Sequence, residues 1–231
     1  MIPALLFWLF KKYAQPTLHQ LYLQLGTGNL LRFTKKKTIL LLFVILSLFA
    51  HAEEKTATYL IKRNGTVIGQ LLLQQKQHGA ETFLKMSSKV KTRFIFEINV
   101  QTADESFFKN GQLQYSSVYR KVNSKEKENR QTKLLQQNYQ LLAGNKSSWF
   151  NASINYNMML LYCQEPIHIL QVYSDHFQQM LPIKKIGTNN YRIDLPDGNY
   201  NTYYFQNGSC KTVEIHHSLY TITMELVEGN D

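Results

Sequence analysis

The sequence predicts an all-β domain: a large curved antiparallel sheet or partly closed barrel, with one short helix. Three observations carry this expectation. Asn-Gly occurs between apolar-alternating runs at Asn64-Gly65, Asn110-Gly111 and Asn207-Gly208. That dipeptide supplies the positive φ angles of a two-residue hairpin turn. Long stretches place apolar residues at every second position, the period of a strand with one buried face. Glycine is scarce, 11 in 231 residues, and no Gly-rich phosphate loop supports a dinucleotide-binding alternative.

The chain divides before the strands begin. Lys35-Lys36-Lys37, the apolar run Thr38–Phe49 and Ala50-His51-Ala52 form the three parts of a secretory signal. The apolar run is too short for a bilayer-spanning helix, which needs roughly 20 apolar residues. Residues 35–52 therefore read as a signal peptide, with cleavage after Ala52 and Glu53 as the mature N-terminus. No Cys follows the apolar run to carry a lipid. Residues 1–34 are an N-terminal extension that sits poorly in front of such a signal. No Met lies between Met1 and Met86, so the expectation is a non-Met start near Leu30–Phe33; a long basic n-region is the alternative. The expected location is periplasmic or extracellular, with the protein soluble once the signal is removed.

Residues 53–231 read as a single β-rich domain. Val67, Gly69, Leu71 and Leu73 alternate first. From Leu84 to Val100, Leu84, Met86, Val90, Phe94, Phe96, Ile98 and Val100 share one face, and Lys85, Lys89, Lys91 and Glu97 the other. That run exceeds ordinary strand length, so a bend, bulge or break is expected near Ser87–Lys89. Leu113, Tyr115 and Tyr119 continue the pattern. The charge-rich stretch Arg120–Lys133 reads as a solvated hairpin tip, with an anionic docking patch as the functional alternative. Ser153–Cys163 has helical spacing at Ile154, Met158 and Leu161, with Asn151 or Ser153 as cap and Pro166 as stop. Pro196-Asp197-Gly198 marks another turn. Val213 and Ile215, then Tyr220, Ile222, Met224 and Leu226, close the domain as strands.

Composition excludes some classes. The formal charge is +10, but residues 1–52 hold six Lys or Arg and no acid. The remainder, with 20 basic and 16 acidic residues, carries a formal +4. That is ordinary for a soluble domain and gives no support for a nucleic-acid partner. Two cysteines, Cys163 and Cys210, are present. Outside the cytosol they are candidates for a disulfide, worth roughly 3–4 kcal/mol if unstrained; two separate buried thiols are the alternative.

The search for chemistry yields no catalytic, cofactor or metal motif. G-x-S-x-G, H-E-x-x-H and C-x-x-C are absent. Glu214 and His216 share a strand face but lack the third ligand a metal site needs. Cys163, Glu165 and His168 are close in sequence, yet Pro166 breaks the chain direction between them. Asp194 and Asp197 form a nominal carboxylate pair, with Asp197 better explained by its turn. Aromatic residues are more suggestive. Tyr200, Tyr203, Tyr204 and Phe205 crowd one strand, and Tyr156, Tyr162, Tyr173 and Phe177 surround the expected helix. Met158, Tyr162, Tyr173 and Tyr204 are the candidate lining of a ligand site. The expected partner is an apolar or amphipathic small molecule, bound without catalysis. A structural or interaction domain with a filled interior is the alternative, and an enzyme of unknown class the third reading.

The segments Leu161-Tyr162-Cys163-Gln164-Glu165-Pro166, Val172-Tyr173-Ser174, Tyr191–Gly198 and Asn201–Gly208 resemble an uncharacterised family of exported bacterial proteins, a domain of unknown function. Asn64-Gly65 and Ile68-Gly69 fit the same pattern. The resemblance covers most of residues 56–227. It implies an envelope-located, β-rich protein and brings no catalytic residues with it. The 34-residue extension departs from that family's signal-first layout.

Overall fold

The structure is a computed structural model that describes residues 53–93 and 97–227. Residues 1–52, where a signal peptide and an extension before it are expected, lie outside the described residues, and so do Phe94 and Phe96. Eight strands follow one another first: β1 (Glu53–Arg63), β2 (Thr66–His78), β3 (Glu81–Arg93), β4 (Glu97–Lys109), β5 (Gln112–Val122), β6 (Lys125–Leu135), β7 (Asn138–Ala143) and β8 (Lys146–Phe150). After an inner segment come β9 (Gln171–Ser174), β10 (Gln179–Pro182), β11 (Lys184–Gly187), β12 (Asn190–Asp194), β13 (Tyr200–Gln206), β14 (Ser209–His217) and β15 (Tyr220–Leu226).

Thirteen of these strands form one sheet in the order β11-β12-β13-β14-β15-β1-β2-β3-β4-β5-β6-β7-β8. Both halves are up-and-down meanders. They join where β1 pairs with β15, Tyr59 opposite Leu226, so the domain's first and last strands meet inside the sheet. The sheet is open, with β8 and β11 as its edges. β9 and β10 form a separate hairpin.

Local chemistry accounts for the turns. Asn64 and Gly65 have φ angles of 49° and 77°, Asn110 and Gly111 of 51° and 74°, and Asn207 and Gly208 of 52° and 76°. These are the left-handed pairs that a tight hairpin requires. At Pro196-Asp197 the Gly198 N–H donates to the Leu195 carbonyl at 3.1 Å, and the Asn199 N–H to Asp197 Oδ1 at 3.1 Å. The stretch 120–133 is the β5–β6 hairpin, turning at Asn123-Ser124.

Strand phase follows the sequence until bulges intervene. On β3, Leu84 is buried while Lys85, Lys89 and Lys91 are exposed. The expected break is displaced. The strand runs unbroken through Ser87–Lys89, and the chain reverses after Arg93, which pairs with Glu97. Leu84–Val100 is thus parts of two antiparallel strands. Register shifts opposite Ile61/Lys62 and at Phe107/Phe108 change faces. The first turns Val67 out, 50% exposed, and packs Ile68 on the core. The second leaves Leu113 wholly buried and sets Tyr115 opposite Phe107 on the other face. Bulges of this kind add local bend and twist, which suits a curved sheet with 11- to 13-residue strands.

The inner segment, residues 151–183, lies against the buried face. Its short helix is a single 3-10 turn, Leu160–Tyr162. The helix expected across Ser153–Cys163 does not extend further: residues 153–156 are irregular, Asn157 bridges β9, and Met158-Met159 turn into the 3-10 element. The Tyr173 N–H donates to the Tyr156 carbonyl at 2.9 Å, and the Met158 N–H to the Tyr173 carbonyl at 3.0 Å. Tertiary pairing here overrides a helical spacing. The segment is anchored at both halves of the sheet. The Leu113 N–H donates to the Ile154 carbonyl at 2.8 Å, and the Tyr162 ring meets Tyr59 and Tyr203 edge-on at 5.4 and 6.0 Å.

Candidate functional site

Where the 3-10 turn approaches β1 and β14, a cavity of about 320 Å³ opens. Its apolar wall is Ala57, Tyr59, Leu73, Tyr162 and Leu226, and Lys55, Gln75 and Ser209 give its mouth a polar rim. Ala57 and Tyr59 face inward from β1 by strand alternation. The Tyr59 hydroxyl donates to the Cys210 carbonyl at 2.9 Å, which fixes its ring as a wall. Cys163 and Cys210 both line this cavity, and both are free thiols. Burial pushes each thiol up to about 12. Neither is a thiolate at neutral pH, so neither is an activated nucleophile.

The expected lining residues separate. Tyr162 stands in the cavity wall. Met158 is half-buried beside the core. Tyr173 is fully buried, and its hydroxyl is hydrogen-bonded to Thr132 Oγ1 at 2.9 Å. Tyr204 faces the opposite side of the sheet, where its hydroxyl donates to Glu214 at 3.0 Å. Its neighbour Tyr203 is the inward residue, and Tyr59, Leu73 and Leu226 join the lining from strands with no aromatic clustering to mark them.

The other sequence candidates resolve into surface chemistry. Glu214 and His216 pair at 3.1 Å, and Tyr200 stacks on the His216 ring at 4.3 Å. Glu165 accepts a hydrogen bond from the Tyr191 hydroxyl at 2.8 Å. Asp194 takes Arg192 and Lys184, whose cations hold its carboxyl below the usual range. Among the described residues no group of three His, Cys, Asp or Glu is arranged to hold a metal ion. No helix among them is long and apolar enough to cross a membrane.

A polar cluster occupies the inner face of β4–β6, and sequence reasoning missed it. Asn157 is fully buried; its Nδ2 donates to Ser106 Oγ at 2.8 Å and to Asp175 Oδ2 at 3.0 Å. Ser106 Oγ donates on to Met159 Sδ at 3.2 Å. Burial, followed by the charge of Asp175, pushes the Asp104 carboxyl up to about 7. Burial pushes Asp175 up to about 6, against the help of Ser116 and Asn157. Glu128 is ion-paired to Arg130 at 2.8 Å and is contacted by His176 Nδ1. The signal was present but faint: Asp104 lies in the same strand phase as Val100 and Phe108, the inward phase of β4.

A long open antiparallel sheet wrapped around its own inner segment defines a β-barrel-like domain with a small cavity on its inner face. The chain belongs to the family described as Domain of unknown function (DUF6134), whose model matches residues 59–227. A crystal structure of a β-barrel-like protein of domain of unknown function DUF1849 from Brucella abortus is similar in fold. The two share 8% identity with a TM-score of 0.52, over 77% of this chain and 96% of that one. No curated protein matches the chain.

Proposed function

We propose that this domain is exported to the bacterial envelope and binds an amphipathic small molecule, without catalysis, in the cavity beside Tyr162. The observation that carries the reading is the cavity itself. It is walled by Tyr59, Leu73 and Tyr162 and rimmed by Lys55, Gln75 and Ser209. Apolar walls with a few polar groups at the mouth suit a ligand with an apolar body and a polar head. The two thiols in its wall are held protonated by burial, which favours binding over thiol chemistry. Export rests on the signal at residues 35–52 and on the resemblance to exported bacterial proteins. It predicts a mature N-terminus at Glu53, where β1 begins.

The test fills the cavity. Ala57 lines it from β1, so Ala57→Phe introduces a ring into the space. Dodecanoate binding is measured by calorimetry on wild type and variant, with folding of both checked by circular dichroism. Saturable binding by wild type that Ala57→Phe abolishes supports the proposal. Equal binding by both places the ligand elsewhere. No binding by either, together with native mass spectrometry showing no co-purified small molecule, favours a filled-interior interaction domain. Mass spectrometry of the exported chain tests the compartment separately, since a dominant species retaining Lys35–Leu48 contradicts cleavage.

A further inference from the structure

The outer face of the sheet carries a row of side chains at one level from β2 to β8. Residues directly opposite each other on paired strands share a face, so the row follows from register. Phe83 on β3 lies opposite Phe107 on β4, and Phe107 opposite Tyr115 on β5. Lys76 on β2 flanks Phe83, and Lys133 on β6 flanks Tyr115. The row continues through Gln140 on β7 to Trp149 on the edge strand β8. The next residues along these strands, Leu84, Ser106, Ser116 and Thr132, are buried on the inner face. With strands about 4.8 Å apart, Phe83 and Trp149 are separated by roughly 24 Å along the sheet.

The rings of this row are fixed but not covered. Phe83 and Phe107 stack at 4.3 Å with 14° between their planes. Phe83 is nevertheless 46% exposed, and Trp149 59%. A groove of about 450 Å³ opens beside the stacked pair, lined by Gln74, Lys76, Phe83, Phe107 and Tyr115. The apolar band is narrow, with an ion pair on each bank. Lys85 pairs with Glu105 at 3.2 Å on one side, and Lys109 with Glu81 at 2.9 Å on the other. A bilayer or a protein partner covers a broad apolar patch, which this band does not offer. A chain of sugar rings fits it better, because a sugar ring has apolar C–H faces and polar edges.

Charge narrows the class. Lys133 Nζ lies 5.8 Å from the centre of the Tyr115 ring and has no carboxylate partner among the described residues. Lys76 pairs with Glu54 at 3.2 Å, but both side chains are more than half exposed. An exposed pair of this kind is weak and screened by salt, so Lys76 is free to exchange Glu54 for an anion of a ligand. Glu105, the carboxylate in the groove wall, is offset by Lys85. We propose that this row binds an acidic oligosaccharide. Sugar rings stack on Phe83, Tyr115 and Trp149, their carboxylates meet Lys76 and Lys133, and Gln74 and Gln140 bond to hydroxyls. The site lies on the opposite face of the sheet from the cavity beside Tyr162 and does not depend on ligand binding there.

Calorimetric titration of the full chain with an oligogalacturonate tests the proposal, with folding of every variant checked by circular dichroism. Saturable binding is expected, weakened at least tenfold in Phe83→Ser and several-fold in Lys133→Gln. Lys133→Gln carries the test alone should Phe83→Ser fail to fold. Tryptophan emission should shift on binding, since Trp149 stands in the row and the chain's other tryptophan is Trp8; the shift should be lost in Trp149→Phe. A neutral maltooligosaccharide should bind at least tenfold more weakly. Absence of wild-type binding overturns the proposal, and so does equal binding by wild type, Phe83→Ser and Lys133→Gln. A neutral oligosaccharide bound as tightly as the acidic one overturns the acidic assignment. Without oligosaccharide binding, two further results reassign the row. Capture of phosphatidylglycerol vesicles that Phe83→Ser abolishes gives it to a membrane surface, and a dimer in light scattering that Phe83→Ser separates gives it to a second copy of the chain.

Discussion

Replacing Gly69 by alanine should be among the most damaging single-methyl changes in this domain. Gly69 lies in β2 opposite Val90 of β3, next to the bulge that turns Val67 outward. A Cβ built there would sit 2.2 Å from the Lys89 carbonyl oxygen and 2.9 Å from Val90 Cα. Both atoms are backbone, so no side chain can swing aside. Ordinary contact begins near 3.4 Å; the strands must therefore part by about 1 Å, and hydrogen bonds weaken over that distance. Overpacking costs about 1–3 kcal/mol, and a lost ladder hydrogen bond adds about 1 kcal/mol. The expected loss is about 3 kcal/mol, or a Tm decrease of roughly 6–12 °C for a domain of this size. Urea unfolding followed by circular dichroism measures it. Gly187→Ala is the control, since its Cβ would meet only the Asn190 side chain, at 3.3 Å, and should stay within about 0.5 kcal/mol. A Gly69→Ala loss no larger than the control's would refute the close approach of β2 to β3.

Gly208, at φ 76° with open space around its Cβ position, tests backbone strain alone: Gly208→Val should cost about 1–2 kcal/mol and Gly208→Asn clearly less, and equal harmlessness in urea titrations would contradict the turn. Cys163 and Cys210, with thiols pushed up to about 12 by burial, should react with Ellman's reagent at pH 8 far more slowly in the native protein than in urea; native reaction at the unfolded rate would show the thiols are not sequestered. Global stability should fall between pH 5 and 7. Asp104 is raised to about 7 in the fold from an unfolded value near 4, so its contribution is full below about pH 4 and lost as pH rises through about 7. That amounts to about 2–3 kcal/mol over the interval, which Asp104→Asn should remove while leaving a smaller fall from Asp175, itself pushed up to about 6 by burial; a wild-type stability that is flat or rising there would contradict the assignment.

The parts of this fold written in short stretches were legible. Each Asn-Gly pair became a hairpin, because a two-residue turn is decided by the φ preferences of its own residues. Leu84 and Lys91 took opposite faces as alternation requires. The misreadings arose where the outcome depends on a distant strand. Nothing between Arg93 and Glu97 resembles a turn in sequence, so the apolar alternation seemed to run through. A bulge changes which phase points inward, and so Val67 and Tyr115, in phase with buried neighbours, ended on the outer face. The helical spacing of Ile154, Met158 and Leu161 was real, but pairing with Tyr173 determined the backbone. Tyr162 stands in the wall of the cavity. Leu73 and Leu226 did not announce themselves, since a cavity wall is made by what lies across from it.

The inner face changes character across the sheet, and this separates its two sites. On β1–β3 it presents Tyr59, Ile61, Leu71, Leu73 and Leu84, all nearly sealed from solvent. On β4–β6 it presents Thr102, Asp104, Ser106, Ser116 and Thr132. An apolar wall asks only that its surface be covered, so a void there costs lost contacts rather than unsatisfied polar groups. A polar wall requires a specific partner for each atom, because a buried polar group without one is destabilising by about 1–3 kcal/mol. The inner segment answers both demands. Tyr162 and Cys163 lie loosely against the apolar side and leave a cavity, while Asn157 and Tyr173 hydrogen-bond into the polar side, where Asp104 Oδ1, Ser116 Oγ and Asp175 Oδ1 are left without a protein partner. A ligand is therefore expected at the first side, where space exists and no bond must be broken to enter. Sensitivity to pH is expected at the second, where burial holds the Asp104 and Asp175 carboxyls above the usual carboxylate range.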